Sequence, residues 1–389
     1  VPARWLAETL EVPADLIRGR YPPFVTGGPL PRGHVPVFAF HSLVPETFER
    51  KLRYLAENGY RTLGVGEYVE VLRGSAPAPE RAVLLTFDDG RGSLYTVGAP
   101  LLRRYGMTGL VFLVPGRVPS RPGPLPADWD DVEGGRAAAE AVRRHEETAG
   151  AFLSWQEIES LSRSGAFEFQ SHTFAHSRIH VGPELAGFLT PALRRGYAAM
   201  DVPLISGDGR DLLAPEAALG TPLLRSAPRT SECLRFHEDA GIRRDPVALV
   251  AAEGGEAFFS RAGWEARLRA VVPRAVQGRL ETEAERAEAI RRELAGAKAV
   301  LEERLGHPVT HLCYPWHVAG PTARRLAREV GYQTAFCGKV PGVRISAPGG
   351  DLESIARIGE DWLELLPGRG RRSVLSVFRA KWVRRRDAV

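Results

Sequence analysis

Six short apolar runs recur along the 389 residues, and amphipathic stretches fill the spaces between them. The runs are "VPVFAF" (35–40), "AVLLTF" (82–87), "TGLVFLV" (108–114), "FEFQS" (167–171), "THLCYP" (310–315) and "YQTAFC" (332–337). After the first, Phe48, Leu52 and Leu55 recur at helical spacing, and Asn58-Gly59 supplies a stop. "TVGAPLLRRYG" (96–106) reads as a second helix-like stretch. "SWQEIESLSRSG" (154–165) reads as a helix opened by a Ser154 cap, and "EAERAEAIRRELAGAKAVLEERLG" (283–306) as a long one. "GPTARRLAREVG" (320–331) is a further helix. Such alternation leads to a parallel sheet or an α/β barrel.

Two segments break the rhythm. Residues 117–150 are Pro-rich and then charged. Residues 180–282 hold Gly/Pro-rich loops with helical pieces, and about a hundred structureless residues inside a compact domain would be unusual. The expectation is a helical insertion or cap subdomain. The division expected is an N-terminal extension (1–34), a barrel (35–179 and 283–366), the insertion (180–282) and a basic tail (367–389).

The polar residues that follow the strands carry the chemistry. His41 follows the first run, Asp88 and Asp89 the second, and His172 the fourth, with His176 four residues later. Trp316 and His317 follow "THLCYP". In α/β barrels, strand C-terminal ends share one mouth, so these residues can converge. Histidines at i and i+4 can hold one metal ion, and a carboxylate completes a His₂–carboxylate set with open positions. A cation also offsets the repulsion of adjacent aspartates, freeing one as ligand and the other as base. Taken singly, the aspartate pair has the alternative of a solvated turn, and His41 that of a hydrogen-bonded rim histidine.

"LLTFDDG", "SHTFAH" and "THLCYPWH", with their flanking text, resemble the three principal motifs of the polysaccharide deacetylases, the NodB-homology or carbohydrate esterase family four group. The resemblance spans roughly 35–115, 152–177 and 285–360, and its style is that of the poly-N-acetylglucosamine deacetylase branch. It implies a distorted (β/α) barrel, a divalent metal (usually zinc) and hydrolysis of a sugar N-acetyl group. It implies Asp88 as general base and Asp89, His172 and His176 as metal ligands. It also implies the Trp316 backbone N–H at the oxyanion, with Tyr314 and His41 further candidates to meet substrate. Two departures stand out. Cys313 occupies a position where many members have arginine, and no histidine follows His317, so the usual late acid is missing. His317 is the replacement acid expected here, with His41 and Asp361 behind it; packing against Trp316 is its structural alternative. Arg357 is a candidate to orient a carboxylate or, equally, a surface salt-bridge partner.

Charge and composition narrow the rest. Of the formal net charge of +5, +7 falls on residues 369–389, leaving −2 for the body. Nucleic acid is therefore not an expected partner of the barrel. The tail, with Val374, Leu375, Val377, Phe378 and Trp382 among arginines, reads either as a helix packed on the barrel or as a peripheral membrane contact. No run of eighteen apolar residues occurs, and "VPARWLAETLEVPADL" lacks the pattern of a secretory leader. Three widely spaced cysteines suggest no disulfide framework. The location expected is cytoplasmic or on the inner membrane face, or exported with a leader removed. The substrate expected is an N-acetylated sugar or glycolipid. The alternatives are an O-acetyl esterase and a non-catalytic glycan-binding module.

Overall fold

A computed structural model describes residues 15–16, 18–120, 123–148, 151–194, 196–205, 217–338, 340 and 343–387. Its centre is a ring of parallel strands: β1 (Val37–Phe40), β2 (Ala82–Asp89), β3 (Gly109–Leu113), β4 (Phe167–Ser171), β5 (His311–Cys313) and β6 (Thr334–Cys337). Each pairs with its neighbour in sequence, and every pairing is parallel. The segment 355–359, β7, closes the ring by changing partner. Ile355 and Ala356 pair with β6, whereas Ile358 and Gly359 pair with β1. Arg357 sits at the exchange point.

Why these runs became buried strands follows from their continuity. β1, β2 and β3 are buried at every position, as strands covered on both faces must be. Side chains alternate across the sheet. Val37, Ala82, Leu84, Leu110, Phe112, Cys313, Phe336 and Ile355 form one apolar cluster, the barrel interior. Phe38, Phe40, Val83, Leu85, Phe87, Val111, Leu312 and Ala335 belong to the other, beneath the helices. Asp88 shares the parity of Ala82 and Leu84 and so points into the barrel. A buried apolar run ends inside the mouth, and its last inward residue is an acid.

The helices are fixed by their ends. Helix α1 (Pro45–Glu57) starts on a proline, which is already set for a first helical turn. Helix α2 (Trp155–Ser164) opens with a Ser154–Glu157 capping box and stops at left-handed Gly165. Helix α3 (Glu283–Leu305) has the same devices in Thr282, Glu285 and Gly306. Helix α4 (Pro321–Val330) stops at Gly331. The stretch after Asp89 differs from the plain helix expected: Leu94–Gly98 is a π-turn, and the α-helix begins at Ala99. At the far end, helix α5 (Val374–Asp387) buries Val377 and sets Phe378 edge-on to Trp362 at 6.0 Å. This part of the tail is engaged with the barrel; the Trp382 side chain and residues 388–389 lie outside the described part.

The segment expected to be a helical insertion is mixed. Arg178–Phe188 pairs antiparallel with Pro222–Pro228, and Phe236–Glu238 with Gly278–Leu280. Helices Arg244–Ala252 and Trp264–Val271 accompany them, and Phe188, Val250, Phe258 and Leu268 form a small core. Pro183, Gly182 and Gly187 interrupt the alternation of the first strand, which disguises it as loop. Within this segment Glu238 lies 3.1 Å from His180 Nδ1 and is salt-bridged to Arg243. Residues 196–201 return to the barrel mouth, where Met200 packs with Val114 and Phe152.

Candidate active site

Strand β2 ends by splitting its two acids. Asp88 keeps strand geometry and faces inward; Asp89 turns into the left-handed region at φ 70°. Gly90 follows at φ 71°, and a β-carbon there would lie 2.5 Å from Leu113 Cδ2, so only glycine fits this turn. Five of the six described non-glycine residues with positive φ are Asp89, Thr173, His176, Trp316 and His317. Each costs roughly 1–3 kcal/mol, and such strain persists where surrounding structure enforces it, characteristically at functional sites.

Asp89 faces two imidazoles. Its Oδ1 is 3.6 Å from Nε2 of His172 and 3.6 Å from Nε2 of His176. Neither Asp89 oxygen has a hydrogen-bond partner, although all three residues are buried. A buried carboxylate with no donor is expensive, and a cation between it and the two nitrogens removes the penalty. The set therefore fits a divalent ion in number, type and spacing. His172 Nδ1 is 2.8 Å from the Cys313 carbonyl, which holds that nitrogen protonated and turns Nε2 toward Asp89. Burial, then the neighbouring His172 and Arg117, pushes His176 well below its ordinary pKa, leaving the neutral imidazole a metal requires. The rings of His172 and His176 are 4.8 Å apart, and Trp316 covers His176 at 4.0 Å.

Asp88 belongs to a different group. Arg357 donates Nη1 to Oδ1 and Nη2 to Oδ2, each at 2.7 Å, in a fork that is 0% and 2% exposed at its two partners. The same guanidinium reaches Thr86 Oγ1 at 3.0 Å, Cys313 Sγ at 2.8 Å and the Cys337 carbonyl at 3.3 Å. Burial alone would raise the Asp88 carboxyl, but Arg357, with His172 behind it, holds it far below the usual carboxylate range. Arg357 is thus an internal orienting cation and not a surface partner. Cys313, at the position where arginine was expected, leaves room for a guanidinium arriving from β7.

The remaining candidates divide. His41 stands with Nε2 4.0 Å from Asp88 Oδ2 and its side chain 50% exposed. His317 is exposed as a residue, yet its ring lies over Gly338, where an added β-carbon would meet it at 2.6 Å. Lost solvent, then the Arg357 charge, pushes that imidazole to about 3. Tyr314 is buried in the helix-side core and does not join the mouth. Asp361 also stands apart, beside Arg50, Lys51 and Arg372 on the barrel flank.

Three contributors had no sequence signal strong enough to name. Arg117, fully buried, donates Nε to the Ala175 carbonyl at 3.0 Å inside the turn that carries His172 and His176. Arg91 is anchored by Glu146 at 2.9 Å and Ser42 at 3.0 Å, and its guanidinium lies 4.1 Å from the Tyr197 ring centroid. Tyr197 comes from the inserted segment and is 41% exposed. The Asp89 carboxylate, then burial, raises its hydroxyl pKa, so it keeps its proton.

Part of the chain is similar to known proteins. Residues 75–191 match the family described as polysaccharide deacetylase. Over 161 residues the chain is 32% identical to the poly-β-1,6-N-acetyl-D-glucosamine N-deacetylase of Escherichia coli K12; the match covers 41% of this chain and 21% of that protein. The chain thus spans about a fifth of that relative's length. Among solved structures, IcaB from Ammonifex degensii aligns with TM-score 0.46 at 17% identity, covering 85% of this chain and 94% of that one. The BpsB deacetylase domain from Bordetella bronchiseptica aligns with TM-score 0.49 at 17% identity, covering 85% and 98%. The matched residues include Asp88, Asp89, His172 and His176, so the part of the chain that carries the site is similar to the polysaccharide deacetylase family.

Proposed function

We propose that this chain is a metal-dependent de-N-acetylase acting on an N-acetylated amino-sugar glycan, with β-1,6-linked N-acetylglucosamine the first substrate to try. One observation carries the reading: a buried Asp89 carboxylate without donors, facing two histidine nitrogens, beside a separately locked Asp88. Asp89, His172 and His176 would hold the ion, with zinc the proposed occupant and cobalt, nickel or iron chemically acceptable. Bound there, it supplies Lewis acidity toward the acetamide carbonyl and acidifies water.

The protein's own groups do the rest. Asp88, held ionised by Arg357, takes a proton from the attacking water. The Trp316 backbone N–H is the proposed donor to the developing oxyanion. The departing amine needs a proton, and His317, its ring over Gly338, is one candidate to provide it. His41, half-exposed and 4.0 Å from Asp88, is the better-placed carrier. Tyr197 over Arg91 narrows the mouth from the inserted segment, which favours chain ends or short oligomers.

Acetate release from N-acetylglucosamine oligomers, with and without chelator and with metal restored, tests the whole reading. Metal-independent release, or none from any N-acetylated glycan, would count against it. The proton carrier has its own test. His41→Ala should lower kcat on the order of 100-fold, and His317→Ala by less than about tenfold. An aryl acetate leaves without protonation, so the His41 defect should shrink on that substrate. A deeper defect in His317→Ala would return the acid role to that residue.

A further inference from the structure

Helix α3 passes behind the turn that carries the two histidines. Residues 172–176 reverse direction through Thr173 at φ 65° and His176 at φ 51°, conformations that neither side chain favours. The turn is held at its backbone from two sides. Arg117 Nε donates to the Ala175 carbonyl at 3.0 Å, and the Gly116 N–H to the Phe174 carbonyl at 2.8 Å. From the opposite side comes Glu293, in the middle of α3. Its carbonyl accepts the Phe174 N–H at 3.0 Å, its Oε2 the Ala175 N–H at 3.0 Å, and its Oε1 the Ser177 hydroxyl at 3.0 Å.

Packing on the α3 side is incomplete. A cavity of about 1110 Å³ opens there, bordered by Phe174, Ala175, Ile179, Gly296 and Glu293 itself. The turn itself is buried, and specific polar bonds hold its strained backbone beside that cavity. Three acceptors on one residue, 117 positions along the chain from His176, meet the turn at Phe174, Ala175 and Ser177.

We infer that Glu293 is a positioning residue for the metal site: its carboxylate holds the 173–177 turn so that His172 and His176 present their nitrogens to Asp89 together. This rests on the metal reading of that trio. The geometry gives Glu293 no contact with substrate, so its effect passes through ligand alignment.

Cobalt(II) titration of the metal-free full-length chain, followed by its visible absorption and by competition with a chelator, tests this without any substrate. Glu293→Ala should keep native far-ultraviolet dichroism while cobalt affinity falls about 10–100-fold, the usual effect of removing a partner behind a ligand. Its absorption bands should shift as the coordination geometry relaxes. Glu293→Gln retains one acceptor and should recover part of the affinity. Ser177→Ala removes one bond and should lose less than Glu293→Ala. Affinity and spectrum within about threefold and unshifted in Glu293→Ala would overturn the inference. If that variant does not fold, unchanged affinity in both Glu293→Gln and Ser177→Ala would overturn it equally. A wild-type chain that binds no cobalt would instead remove the metal reading on which it stands.

Discussion

Arg357→Leu is expected to destabilise the chain by about 3–5 kcal/mol at neutral pH, the effect of leaving a buried carboxylate without its partner. The sign of its pH dependence is the informative part. In the wild-type chain Asp88 is held below its ordinary pKa, so the pair's contribution is complete above the usual carboxylate range and fades only as pH falls beneath it. Without the guanidinium, burial is the larger influence and raises Asp88 instead. The carboxyl then prefers its proton, and stability falls as pH rises from the ordinary carboxyl value to the raised one, levelling off above it. The difference between the two chains should therefore be substantial already near pH 4, grow further toward pH 8, and shrink only well below the ordinary carboxyl range. Denaturant unfolding at the two values measures it, and a difference independent of pH would refute the account. The acid limb of the rate profile should move upward in step. A double variant, Asp88→Asn with Arg357→Leu, should recover stability without activity, because neither charge is left buried alone.

That pair explains where sequence reading succeeds and where it stops. Strands β1 to β6 were legible because each is a continuous apolar run between turn signals, a pattern that persists whatever its neighbours do. The acids and histidines were legible because they sit at the ends of those runs. Strand β7 was not. Residues 355–359 are few, divided between two partners, and interrupted by the largest cation the sequence has to offer. Arg357 and Asp88 are 269 residues apart, and only ring closure makes them neighbours. Local pattern holds no information about that closure, so Cys313 looked like a loss when the guanidinium had another route in. Glu293 and Arg117 were hidden for the same reason: each acts on a backbone far along the chain. The inserted strands were missed on different grounds, since Gly182, Pro183 and Gly187 mimic loop chemistry within a paired segment.

Asp88→Asn and Asp89→Asn, adjacent and nearly isosteric changes, should fail in opposite ways. The Asp88→Asn side chain keeps one oxygen for Arg357, and the guanidinium retains Thr86, Cys313 and the Cys337 carbonyl as acceptors, so the fold should survive better than in Arg357→Leu. The proton acceptor is gone, however, and kcat should fall about 10²–10⁴-fold with metal content unchanged. Asp89→Asn removes the anionic ligand, so metal content should fall first and activity with it, recovering partly at high added zinc. Metal analysis after dialysis, set beside kcat, separates the two. The outcome that would reverse the assignment is specific. Asp88, His172 and Cys313 also lie within 4.8 Å of one another and could hold an ion. If Asp88→Asn loses metal while Asp89→Asn keeps it, that second trio is the metal site and the two acids exchange roles. The geometry favours the first assignment because both Asp88 oxygens are already occupied by Arg357, whereas both Asp89 oxygens have no donor. A carboxylate forked by a guanidinium is a weaker ligand than one with no donor, and the lone pair left on each oxygen is what Asp88 offers a proton from water.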